Sequence, residues 1–155
     1  MNAGSNPAVL RALVARVWAF AYWATEDAPL AEAMLANACR AGIEAVLSVS
    51  ERETLVRMLA AAHGVLRSGG ACESYERTGR VARGSSVAPT DTQTRMLFEF
   101  RLLAPLERAT LLLSEVDDLT CEETARVLGV SADLARLAHV AVRLKLGRAF
   151  SERGR

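Results

Sequence analysis

The sequence predicts an all-α protein made of two small helical units joined by a linker. Three observations carry this. Apolar residues recur at three- and four-residue spacing on both sides of the middle of the chain. Residue types that cap helices precede those stretches. Between 69 and 91 the pattern stops, and Gly69, Gly70, Gly79, Gly84, Ser85, Ser86 and Pro89 take over. A structureless stretch of about 20 residues is unusual inside one compact domain. The units are therefore expected at 1–68 and 92–155, with the linker over 69–91.

Taken in order, Asn6 is an N-cap with Pro7 at the first helical position, and Leu10, Leu13, Val14, Val17, Trp18 and Ala21 form one face of a helix over roughly 7–24. Trp18, Phe20, Tyr22 and Trp23 are expected to fill the core from this helix, because aromatic rings carry much of a small core. Asp27 caps a second helix with the stripe Leu30, Met34, Leu35, Ala38 and Cys39, running toward Val46 and Leu47. Ser50 and Glu53 make a capping box for a third, with Leu55, Met58, Leu59, Ala62 and Leu66 on one side, stopped at Ser68-Gly69-Gly70. After Asp91 the period returns with Met96, Leu97, Phe100 and Leu103, and Ala104-Pro105 restarts the chain as a helix reaching Glu115.

Composition excludes several classes. With 51% apolar and 24% charged residues the chain is neither disordered nor fibrous. Its apolar runs, such as Val17 to Ala24, fall far short of the roughly 20 residues that span a bilayer, so no membrane partner is expected. No secretion signal is evident, and Cys39, Cys72 and Cys121 form no CxxC, which fits a cytoplasmic location. His63 and His139 are far apart, no glycine loop for phosphate is present, and no Cys/His pair has useful spacing. No catalytic residue, metal, cofactor or small-molecule substrate is expected, and the chain is read as a non-enzyme.

Net charge is only +1, but it is unevenly placed. Residues 133–155 carry six Arg or Lys against Asp133 and Glu152, whereas residues 92–132 carry four Arg against seven acids. Such asymmetry marks nucleic-acid contact, an acidic protein partner, or simply a solvated helix face.

The densest signal runs from Pro105 to Leu146. Thr120 and Glu123 form a second capping box, opening a short helix from Cys121 to Leu128. Gly129 tolerates positive φ, Val130 plugs the corner, Ser131 caps the next helix, and Ala125 is small enough for a steep helix crossing. Together these are the ingredients of a helix-turn-helix.

Leu103-Ala104-Pro105-Leu106-Glu107-Arg108 through Leu112-Leu113, followed by Leu119 to Ser131, resembles region four of extracytoplasmic-function sigma factors. The first half, around Trp23-Ala24-Thr25 and Ala31-Glu32, is similar to a shortened, divergent region two. The resemblance implies a region two that binds the RNA polymerase clamp and melts the −10 element, and a region four that reads the −35 element. The partners it implies are RNA polymerase core and promoter DNA.

The departures point elsewhere. Where that family carries Thr-Val-Lys-Ser-Arg on the recognition helix, this chain has Leu134-Ala135-Arg136-Leu137-Ala138, and leucine makes no hydrogen bond to a base edge. Ala33 and Asn37 stand where the family places polymerase-gripping acids. This combination resembles the sigma-mimic domain of PhyR-type general-stress response regulators, without a receiver domain, and implies binding of an anti-sigma factor.

Two residue sets follow. Arg136, His139, Arg143, Lys145 and Arg148 are the candidate DNA-binding set, with phosphates as their natural targets. Leu134, Leu137, Ala141 and Leu144 form an apolar stripe, expected to face the core and alternatively to dock a partner helix. The leading expectation is a sigma-factor-like transcription regulator. The alternative is a degenerate mimic that binds an anti-sigma factor or another helical regulator.

Overall fold

A computed structural model describes residues 6–46, 49–68 and 91–151. The expected linker, except for Asp91, lies outside the described residues. Among the described residues the elements are seven helices and a π-helical turn: α1 (Pro7–Thr25), α2 (Ala28–Ala45), α3 (Glu51–Ser68), α4 (Thr92–Leu102), α5 (Pro105–Leu111), the π-turn (Leu112–Val116), α6 (Cys121–Leu128) and α7 (Ala132–Ser151). The protein is all-α, with no strand among the described residues. No helix among them is long and apolar enough to cross a membrane.

The helix starts follow the sequence chemistry. Asn6 Oδ1 accepts from the amide of Ala8, Asp27 Oδ1 from Leu30, and Asp91 Oδ1 from Gln93 and Thr94. Ser50 Oγ accepts from Glu53 N at 3.2 Å, while the Glu53 carboxylate turns to Arg57 and Arg126. Leu13, Val17, Phe20 and Ala21 of α1 meet Met34 and Ala38 of α2 and Leu55, Met58, Leu59, Ala62 and Leu66 of α3 in the core. A Cβ built on Gly42 would lie 2.8 Å from Met58 Sδ, so any larger residue there would have to push the buried Met58 side chain aside.

One apolar core runs through both sets of helices: Ala109, Leu112, Leu113, Leu119, Val127 and Leu128 join the α1–α3 cluster. Polar seams border it. Arg52 of α3 donates from Nε and Nη2 to the two oxygens of Glu123, both at 2.6 Å, and Arg126 of α6 returns two bonds to Glu53 at 2.7 and 3.1 Å. The neighbours Arg52 and Glu53 thus cross-pair with Glu123 and Arg126, which fixes the register of α6 on α3.

Three expectations are corrected. Phe20 is fully buried, but Trp18 is only partly so, and Tyr22 and Trp23 are 40% and 37% exposed. Trp18, Tyr22 and Trp23 form a row at the edge of the core that ends on Phe100 of α4, 6.4 Å from Trp23. The Met96 and Leu97 side of α4 faces solvent. The helix from Pro105 does not run unbroken to Glu115: after Leu111 it widens, and Asp117 N donates to Leu112 O five residues back.

Candidate functional site

The helix-turn-helix forms as its residues require. Thr120 Oγ1 accepts from Glu123 N at 3.2 Å, and Glu123 Oε2 accepts from Thr120 N at 2.8 Å, completing the capping box. Hydrogen bonding to Arg52 pulls the Glu123 carboxyl down to about 2. Gly129 sits at φ 67°, ψ 37°, and its N–H returns to Ala125 O, as does that of Val130. Ser131 Oγ then accepts from Leu134 N, opening α7.

The rotation of α7 decides what its residues do. Its inward side is Ala135, Ala138 and Val142, all buried. These small residues allow α7 to lie close on α5 and α6. At 3.6 residues per turn, Leu137, Val140 and Leu144 fall on the opposite side, where they are 66%, 52% and 56% exposed. Leu134 is 43% exposed at the margin and Ala141 is half-buried. The expectation that Leu134, Leu137, Ala141 and Leu144 face the core is therefore corrected: the larger apolar residues point outward. Hydrophobic periodicity alone misassigned the faces, because α7 carries apolar residues on both sides and alanine supplies the tighter packing.

The basic set is spread over the rims of that face. Arg136 Nη1 lies 2.8 Å from Asp133 Oδ1 and its Nη2 3.8 Å from Glu122. His139 Nε2 lies 2.7 Å from Glu115 Oε1, and Arg143 Nε 3.7 Å from the same oxygen. His139, and to a smaller degree Arg143, hold the Glu115 carboxyl below the usual range. Lys145 Nζ lies 2.5 Å from Glu107 Oε1. Arg148 is exposed near the end of α7. The acidic segment before α7 thus neutralises much of the basic charge that the sequence set aside for phosphates.

Sequence reasoning missed Val140, although its spacing of three from Leu137 and four from Leu144 completes the outward row. It also missed the Arg52–Glu123 and Glu53–Arg126 pairs, whose members are about seventy positions apart in sequence. Asn37 Nδ2 donates to Ala61 O at 2.7 Å, so this residue ties α2 to α3. Comparison with family models, with curated proteins and with solved structures finds no match.

Proposed function

We propose that this chain is a sigma-factor-like transcription regulator whose helix-turn-helix docks a helical protein partner, of the anti-sigma kind, in place of reading promoter bases. The observation that carries this is the outward face of α7, where a recognition helix meets bases: Leu137, Val140 and Leu144 occupy it. Aliphatic side chains there make no hydrogen bonds to base edges, and burying them against a polar groove returns little. A contiguous exposed apolar face at helical spacing is instead suited to another helix.

The exposure of Arg143 and Arg148 supports a second reading, an acting sigma factor that binds core polymerase and promoter DNA. Transcription in vitro with core RNA polymerase separates the two. Docking predicts no promoter-specific transcript at any ratio of this protein to polymerase. A defined start site that depends on the protein would overturn it.

A further inference from the structure

The outward face of α1 and α2 is low and mostly apolar. Ala8 and Ala15 of α1 and Ala33 and Ala36 of α2 are exposed on it. Leu10, Val14 and Trp18 of α1 and Leu35 of α2 line a hollow of about 530 Å³. Tyr22 and Ile43 stand out beside it, 40% and 64% exposed. Four exposed charges border these residues: Arg11 on α1, and Glu32, Arg40 and Glu44 on α2. Among the described residues none of the four makes an ion pair, and Arg40 donates only to Asn37 Oδ1. The seam between α3 and α6, by contrast, satisfies its charges within the chain.

The two unpaired cations and two unpaired anions decide the occupant. A helix with acidic flanks leaves Glu32 and Glu44 unmatched, one with basic flanks leaves Arg11 and Arg40 unmatched, and DNA meets two carboxylates. A second copy presents the same set reversed. α1 and α2 are joined at Glu26–Asp27 and run antiparallel, with Trp18 level with Leu35 across the hollow. At the same rise per residue Leu10 stands level with Ile43, and Ala21 with Glu32.

Two copies laid face to face, antiparallel and centred on the level of Arg16, make a closed two-fold pair. Each Arg11 then meets Glu32 of the other copy, and each Arg40 falls within about 3 Å of that glutamate's level along the helix. Each Tyr22 enters between Leu10 and Ile43 of the other copy, and each Trp18 lies over Val14. Glu44, about 120° round α2 from Glu32, falls at the first turn of the other α2, where an acid is favoured. Like charges stay apart: the two Arg11 are about 15 Å from each other along the helices, and Arg16 turns away to Asp117.

We infer that the chain forms a two-fold dimer through the outward face of α1 and α2, with Arg11 of each copy paired to Glu32 of the other and Tyr22 seated between Leu10 and Ile43. This face lies on other helices than α7, so the dimer stands or falls apart from the docking reading above.

Sedimentation velocity of the full chain from about 1 to about 200 μM tests it. The sedimentation coefficient is expected to rise with concentration from monomer to dimer and no further, since a two-fold contact closes. Arg11→Glu and Glu32→Arg, each checked for an unchanged helical spectrum, should each weaken self-association at least about tenfold, and the double variant should return it to within about threefold of the original. Leu137→Ser, on α7, should leave it unchanged. A monomer at every concentration, or growth beyond a dimer, would overturn the proposal. So would a dimer that the single reversals do not weaken, that the double reversal does not restore, or that Leu137→Ser abolishes.

Discussion

Arg16 of α1 holds Asp117 twice, donating from Nε to Oδ1 at 3.0 Å and from Nη2 to the Asp117 carbonyl at 2.7 Å. Asp117 is 4% exposed at the end of the π-turn, so a single side chain from the first helix closes both polar groups of a buried residue in the second half. Burial raises the Asp117 carboxyl above its ordinary value, and Arg16 draws it only part of the way back. A folded-state value that is raised means the native protein binds this proton more readily than the unfolded chain. Stability from this group is complete below the ordinary aspartate range and declines as pH rises through the raised value.

Replacing Arg16 by alanine leaves the ionised carboxylate buried without its cation. We expect a loss of about 1–3 kcal/mol at pH 7, and a smaller loss near pH 3, where the carboxyl is protonated. Urea unfolding of both proteins at the two pH values measures this. Equal losses at pH 7 and pH 3 would show that the charge is immaterial.

Gly129 is held at φ 67°, and a Cβ there would lie 1.9 Å from Arg67 Nη1. The guanidinium is the mobile end of a long side chain and can move aside, so the backbone conformation sets the cost. Gly129→Val should destabilise by about 1–3 kcal/mol. Gly129→Asn should cost distinctly less, since asparagine tolerates the left-handed region. Thermal melting of both variants checks this; equal losses, relieved by Arg67→Ala, would make the collision with Arg67 the cause instead.

His63 is buried in α3, and burial first, then Arg67, holds its imidazole down at about 4. Among the described residues its Nδ1 has no hydrogen-bond partner. A depressed folded-state value means the unfolded chain takes up the proton first. Stability from this group is complete above about pH 6.5 and is lost as pH falls from there through about 4, a change on the order of 3 kcal/mol. His63→Leu should flatten the stability profile across that window. An unaltered slope between pH 6.5 and 4 in the variant would refute the assignment.

Binding to duplex DNA should be weak, salt-sensitive and nearly indifferent to sequence. Arg143→Ala and Arg148→Ala should each reduce the slope of log affinity against log salt by about 1. Arg136→Ala should change it less, because Asp133 and Glu122 already share that charge. Discrimination of about 10³-fold or more between candidate −35 duplexes and scrambled controls would restore the promoter-reading function.

The sequence by itself determined the local structure. Asn6, Asp27, Asp91 and Thr120 cap helices where their side chains allow it, and Gly129 turns the chain between α6 and α7 as its spacing from Ala125 requires. Capping and turn chemistry involve residues only a few positions apart, which a linear reading contains in full. The α3 stripe was equally legible, because that helix has one dominant apolar face.

Only the tertiary structure decided which way α7 is turned and where the charges go. With apolar residues on both sides of α7, periodicity does not choose between them; the close fit of Ala135, Ala138 and Val142 against the preceding helices does, and it leaves Leu137, Val140 and Leu144 outside. Likewise, the acids of 92–132 looked like a separate patch, until folding brought Glu107, Glu115 and Glu122 beside the basic residues of α7, and Asp117 and Glu123 beside Arg16 and Arg52. Pairs between distant positions depend on how whole helices pack, and that packing is set by a core to which both halves of the chain contribute.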